Sequence, residues 1–305
     1  MPTTVAYSPQ CRLHFAGAGH PERPQRIEAV LEALRAPALK GQIQWVEGKP
    51  APRAALERVH PAPYVDRLER LDAAGGGQLD PDTYLGPRSW EAVLAAAGVV
   101  LAAVDAGIAS GGRTAFAAQR PPGHHALANQ SMGFCFLNNV AIGARHAQSQ
   151  GLARVLIVDW DVHHGNGTQA IFERDASVRY VSTHQYPWYP GTGAAGERGV
   201  GNVFNVPQPP GLPRETYTRD LLAAVDASLS GWRPDLVLIS AGFDSLAGDP
   251  LGGFTWEPED MASLTTAIRE RANGAPVVGV LEGGYRLDLL AAGCAAHVRA
   301  LALPS

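Results

Sequence analysis

Four short apolar, β-branched runs, at residues 155–158, 178–182, 236–240 and 277–281, recur along the chain and constrain its fold more than any other feature. A weaker fifth run lies at 114–117. Between and before them stand helical patterns at 91–110, 140–150, 214–229 and 257–271. Apolar strands alternating with helices predict an α/β architecture, a central parallel β-sheet flanked by helices on both faces. No internal repeat is visible. The Pro/Gly-rich stretches 191–201 and 207–213 are expected to be long loops rather than linkers, because strand signals continue on both sides. Loops of that length in a compact domain are usually functional. At 305 residues the chain is long enough for two domains, but α/β chains of this size are often one, and a single domain over 1–305 is expected.

Composition removes several function classes. With 46% apolar and 18% charged residues the chain can bury a large core. A net charge of −4 without a long basic run argues against a nucleic-acid surface. Three cysteines, Cys11, Cys135 and Cys294, make no disulfide framework, and the odd count fits a reducing compartment. The N-terminal residues lack a charged segment followed by an apolar one, so no signal peptide and a cytoplasmic location are expected. The longest apolar candidate, residues 92–109, carries Asp105 and reads as a buried helix rather than a membrane span.

The polar motifs sit where such a sheet would use them. His124-His125 follows the 114–117 run through Arg120-Pro-Pro-Gly, Asp159 to Asn166 follow 155–158, Asp244 follows 236–240, and Tyr285 follows 277–281. Each lies just beyond the C-terminal end of a strand, which is where open parallel sheets bind ligands. On an extended backbone, side chains at i and i+2 share a face, so Asp159, Asp161 and His163 project together. Buried charge at that density needs pairing or a metal.

Asp161 and His163 can share one divalent metal, and Asp244, in a Gly-flanked loop, is the best third ligand; its plainer reading is a turn-capping Asp. Three protein ligands leave one or two positions open for water and substrate, the pattern of a catalytic metal site. Asp159 is either a further ligand or a carboxylate that orients a histidine. The tandem His124-His125 in a rigid Pro/Gly loop suits a general base and an electrostatic or general-acid partner, although an isolated His pair is more often a surface feature. Tyr285, after two glycines, suits a donor to a developing oxyanion, or else a turn tyrosine. Phe134, Trp188 and Tyr189 either wall an apolar channel or pack in the core. His164 points to the opposite face from His163 and reads as structural.

Taken together the chain resembles the histone deacetylase / acetylpolyamine amidohydrolase superfamily, and its class II deacetylases most closely. The resemblance is carried in family order by His20-Pro-Glu-Arg-Pro-Gln-Arg-Ile27, Arg120-Pro-Pro-Gly-His-His125, Gly133-Phe-Cys-Phe-Leu-Asn-Asn139, Val158-Asp-Trp-Asp-Val-His-His-Gly-Asn-Gly-Thr168, Pro190-Gly-Thr-Gly193, Ser240-Ala-Gly-Phe-Asp-Ser245, Gly248-Asp-Pro250 and Glu282-Gly-Gly-Tyr285. It implies an arginase/deacetylase-like fold and a zinc-dependent amidohydrolase acting on an acyl-lysine peptide or a small acylated amine. It implies one catalytic Zn2+ on Asp161, His163 and Asp244. It further implies His125 as general base, His124 as electrostatic partner or general acid, Tyr285 as oxyanion donor, and Asp159 and Asn166 as partners of the two histidines. Asn at 166 is the class II form. By the same resemblance K+ binds through Asp159, Asp161, His163, Ser182 and Thr183, Gly133, Phe134 and Tyr189 shape the acyl tunnel, and Asp82 grips substrate at the rim.

Leu251 bears on substrate. Polyamine-specific relatives carry glutamate there, and Leu cannot attract a distant ammonium. Three rivals remain in view: an acetylpolyamine deacetylase; a binuclear Mn2+ ureohydrolase, which would need a carboxylate where Gly165 stands; and a non-catalytic acyl-lysine binder. The sequence implies no nucleic-acid or membrane partner and allows a homo-oligomer.

Overall fold

The apolar runs become strands because Val, Ile and Leu suit a pleated backbone buried on both faces. A computed structural model describes residues 2–109 and 114–303; Met1, residues 110–113 and residues 304–305 lie outside the described residues, and so does Ser110, the last residue of the predicted helix 91–110. In chain order the strands are β1 (Thr3–Tyr7), β2 (Ile43–Glu47), β3 (Gly77–Asp80), β4 (Thr83–Leu85), β5 (Thr114–Ala118), β6 (Val155–Asp159), β7 (Val178–Gln185), β8 (Val203–Gln208), β9 (Leu236–Ala241) and β10 (Val277–Leu281). Eight of them form one parallel sheet in the order β2-β1-β5-β10-β9-β6-β7-β8, and β3 pairs with β4 in a separate antiparallel hairpin. The central strands β5, β10, β9 and β6 are buried along their whole length.

Consecutive strands β5 and β6 do not touch, because β10 and β9 fill the space between them. The chain runs outward from β6 to β8 and then returns to complete the centre. That reversal brings the C-terminal ends of β5, β10, β9 and β6 side by side, which is the switch-point crevice of open α/β sheets. The helices Ser89–Ile108 and Asn139–Ser149 pack on one face of the sheet. Gln25–Leu34, Arg214–Leu229, Pro258–Ala272 and Leu287–Ala302 cover the other. Asn138 caps the second helix by accepting from Ala141 N, and a Glu257/Asp260 capping box opens Pro258–Ala272.

The helix Ser89–Ile108, at 20 residues, is long and apolar enough by length and composition alone to cross a membrane, but most of it is buried against the sheet and its neighbours, as the reading of residues 92–109 as a buried helix expects. Several expectations need correction. Pro207 and Gln208 are not loop but the end of β8, where an edge strand tolerates a residue without an N–H. Strand β7 continues past residue 182 to Gln185. Strands β1, β2 and β8, the β3–β4 hairpin and the helix Leu287–Ala302 were not anticipated. Strand β2 is an edge interrupted by Gln44 and Glu47, and its partly exposed side chains give no apolar run to find.

Candidate active site

The predicted metal ligands converge. One ligand atom each from Asp161, His163 and Asp244 lies within 4.8 Å of the others. His163 Nδ1 is 3.0 Å from Asp161 Oδ1 and 3.2 Å from Asp244 Oδ2. The backbone prepares both carboxylates: Gly283 N donates to Asp161 Oδ2 at 2.8 Å and Val162 N donates to Asp244 Oδ1 at 3.0 Å. Asp244 Oδ2 is buried and, apart from the 3.2 Å approach of His163 Nδ1, has no polar partner among the described residues. A Cβ built on Gly283 would collide with both carboxylates, which explains why the Gly-Gly segment must lack a side chain there. One imidazole nitrogen and two buried carboxylates, one with an unmet oxygen, fit a small divalent cation.

The charges agree with that fit. Burial works against the imidazolium of His163, but Asp161 and Asp244 outweigh it and raise the pKa to about 10. The pull that draws a proton to Nδ1 is the pull the same carboxylates exert on a cation. Burial, reinforced by the neighbouring Asp161, pushes Asp244 up to about 7. Burial also opposes the charge on Asp161, yet His124 and His163 hold its carboxyl well below the usual range.

The two histidines differ in their partners. His124 Nδ1 is 3.0 Å from Asp159 Oδ2, and that carboxylate also accepts from Tyr180 OH at 2.9 Å and Asp161 N at 3.1 Å. His125 Nδ1 is 2.8 Å from Asn166 Oδ1, while Asn166 Nδ2 points to Met132 Sδ. An amide oxygen can only accept, so His125 Nδ1 carries a proton and Nε2 keeps its lone pair. Burial disfavours a charged His124, but Asp161 and Asp159 overcome it and raise its pKa to about 10. Burial, with His124 and His163 adding to it, drives His125 well below its ordinary value.

A cavity of about 230 Å³ opens onto this group, lined by Asp82, His125, Gly133, Phe134, His163, Trp188, Tyr189, Leu251 and Tyr285. Tyr189 stands edge-on to His125 at 5.1 Å between ring centroids, and Phe134 edge-on to Tyr285 at 5.8 Å. Gly133 presses against the His125 ring with φ +56°, and Phe134 follows at φ +66°, a left-handed conformation unusual for a non-glycine. Burial pushes the Tyr285 phenol well above its ordinary pKa against the pull of Arg26, so it stays a proton donor. Trp188 lies at the mouth, its Nε1 donating to Leu251 O at 3.0 Å.

Of the named site residues, Asp161, Asp244, His124, Asp159 and Asn166 stand behind the cavity lining, joined to it by the contacts above, while His164, Ser182 and Thr183 lie apart. His164 is buried between Thr192 Oγ1 and Gln169 Oε1. Ser182 is the β7 partner of Asp159, and the Thr183 hydroxyl donates to Val206 O at 3.3 Å. Sequence reasoning assigned no role to Asp249, Thr83 or the Glu22 cluster. Asp249 Oδ2 accepts from Tyr285 N and Arg286 N and so fixes the phenol's backbone. Thr83 Oγ1 accepts from Phe134 N at 3.0 Å and donates to Asp82 Oδ1 at 2.9 Å, which ties the tunnel wall to the rim. Glu22 is enclosed by Arg120, Arg26 and His14, and Arg26 lies over the Tyr285 ring. Asp249 and the Glu22 side of this cluster fall inside motifs quoted above, which was the available signal; Thr83 carried none.

Comparison with known proteins adds a family. Residues 20–301 match the histone deacetylase domain. The chain is 40% identical over 279 residues to the histone deacetylase-like amidohydrolase of Pseudomonas aeruginosa, covering 88% of this chain and 73% of that protein. It is 38% identical over 288 residues to human polyamine deacetylase HDAC10, covering 88% of this chain and 43% of that one. The crystal structure of the HDA15 HD domain superposes with a TM-score of 0.93 at 36% identity, over 99% of this chain and 90% of that one.

Proposed function

The chain belongs to the histone deacetylase family and is a deacetylase/amidohydrolase, and we propose that it is a zinc-dependent enzyme that removes acyl groups from ε-amino-lysine in peptides. The observation that carries the metal is the Asp161–His163–Asp244 cluster with its unmet Asp244 oxygen. A divalent cation held there supplies Lewis-acid polarisation of the acyl carbonyl and lowers the pKa of water.

The protein's own groups do the rest. His125 Nε2, left with its lone pair because Nδ1–H donates to Asn166, takes the proton of the attacking water. Tyr285 OH donates to the carbonyl oxygen as negative charge develops on it. His124, held by Asp159, keeps a positive charge near the reacting centre, and a histidine returns a proton to the departing amine. Phe134 and Tyr189 flank the methylene chain and exclude water, and Asp82 accepts from the substrate backbone. By the family resemblance K+ sits near Asp159, Asp161, His163, Ser182 and Thr183. The binuclear alternative loses support at Gly165, where a Cβ would collide with Asp159 Oδ2.

Leu251 on the cavity wall favours a lysine side chain over a polyamine, because it offers nothing to a distal ammonium. A polyamine substrate is the second reading, supported by the likeness to a polyamine deacetylase and by Asp82 at the mouth. Comparing kcat/KM for an acetyl-lysine peptide and N8-acetylspermidine separates them. A higher value for the peptide is expected; a tenfold preference for the polyamine would displace the lysine reading.

A further inference from the structure

Glu282 is a buried carboxylate that the chemistry above leaves unused. Its exposure is 0%, and it directly follows the last residue of β10. Oε2 accepts from Gly123 N at 2.7 Å and from His124 N at 3.2 Å, and Oε1 accepts from Ser240 Oγ, on β9, at 3.2 Å. The main chain is engaged as well. Glu282 N donates to Ala241 O at 3.0 Å, its carbonyl accepts from Arg26 Nη2 at 2.5 Å, and the next residue holds Asp161 Oδ2.

One residue therefore ties the loop that carries both histidines to β9, to β10 and to the Gly-Gly-Tyr segment. Other bonds hold the carbonyls of this loop, Thr168 N donating to His124 O and Asn138 Nδ2 to Ala126 O at 3.1 Å each, whereas the amides of Gly123 and His124 are met by Glu282. Gly123 N and His124 N are buried donors outside any strand ladder, and such groups must find an acceptor. The reach of both imidazoles is set by the backbone that Glu282 grips, and a 1 Å displacement of a catalytic group can cost about 10²-fold in rate.

We propose that Glu282 is a positioning residue for the deacylation, holding the His124-His125 backbone in register with Asp159, Asn166 and Tyr285 through its hydrogen bonds to Gly123 and His124. The inference rests on the catalytic reading of the two histidines. What matters in it is the pair of accepted hydrogen bonds. Glutamine can keep both with its amide oxygen and donate to Ser240 with its amide nitrogen, whereas methionine fills the same volume and accepts almost nothing.

The test is kcat and KM of zinc-loaded wild type, E282Q and E282M on an acetyl-lysine peptide. E282Q should keep kcat within about threefold, and E282M should lose about 30-fold or more with KM within about twofold. Wild-type kcat in folded E282M overturns the proposal. So does an equal loss in E282Q and E282M, or a loss expressed mainly in KM. If E282M fails to accumulate, E282D serves: its carboxylate is drawn back from both amides, and kcat should fall at unchanged KM, while wild-type kcat counts against the role. H124A, measured alongside, reports on the underlying reading separately; turnover that survives it removes the premise whatever the Glu282 variants do.

Discussion

At the floor of the cavity His124 is 2% exposed and Asp159, Asp161 and Asp244 are 0% exposed, whereas at the mouth Trp188 is 46% and Tyr189 36% exposed. The floor hangs from the ends of β6, β9 and β10 and the loop after β5, four strands that are neighbours in the sheet. The mouth is drawn from the β3–β4 hairpin, the turn at Gly133-Phe134, the segment after β7 and the loop at Leu251. A rigid, dry floor strengthens every electrostatic contact made to a reacting atom. An exposed mouth assembled from loops can change what enters without disturbing the chemistry. Floor substitutions are therefore expected to act on kcat, and mouth substitutions on KM and substrate choice.

The largest effect should come from the floor. His125→Ala is expected to lower kcat by about 10²–10⁴-fold with KM little changed. Tyr285→Phe should follow with a loss of about 10²–10³-fold. If Tyr285→Phe leaves steady-state turnover intact, the phenol does not stabilise the oxyanion as described.

Beneath the floor lies the Glu22 cluster, which tests whether the order above depends on buried charge below. Burial opposes the Glu22 carboxylate, but Arg120, His14 and Arg26 outweigh it and lower its pKa from 4.5 to about 2. A depressed folded-state pKa stabilises the fold fully above pH 4.5, and the contribution is lost as pH falls from 4.5 through about 2. Glu22→Gln, which breaks a buried pair, should cost about 3–5 kcal/mol at pH 7 in urea unfolding. The gap to wild type should shrink as pH falls below 4.5; a gap independent of pH would show that the carboxylate is not charged in the folded state.

The mouth should respond more gently. Asp82→Asn is expected to raise KM for an acetyl-lysine peptide by about tenfold, equivalent to about 1.4 kcal/mol, with kcat held. Leu251→Glu should move kcat/KM toward acetylspermidine by a similar factor. A kcat collapse in either variant would erase the division between floor and mouth.

The same division governs what the sequence discloses. Floor residues come in contiguous runs at strand ends, because one strand end presents several side chains to one point, and so Asp159, Asp161 and His163 announce themselves together. The α/β class was legible for a related reason: β6, β9 and β10 are buried on both faces and read as continuous apolar runs. Edge strands β2 and β8 are half-exposed and patternless, so they were missed. Thr83 was invisible as well. Its importance lies in a hydrogen bond to Phe134, 51 residues away, and nothing in the local residue pattern encodes that meeting. Glu282 stood within a quoted motif, but its grip on Gly123 and His124 spans 158 residues or more and emerges only in three dimensions.

Turnover of an acetyl-lysine peptide by protein stripped of metal and then titrated with Zn2+, with bound zinc measured in parallel, tests the metal assignment most directly. Stripping should abolish turnover, one equivalent of Zn2+ per chain should restore it, and Asp244→Asn should retain no stoichiometric zinc. Undiminished turnover from the stripped protein, or recovery that requires two equivalents, would contradict a single cation held by Asp161, His163 and Asp244.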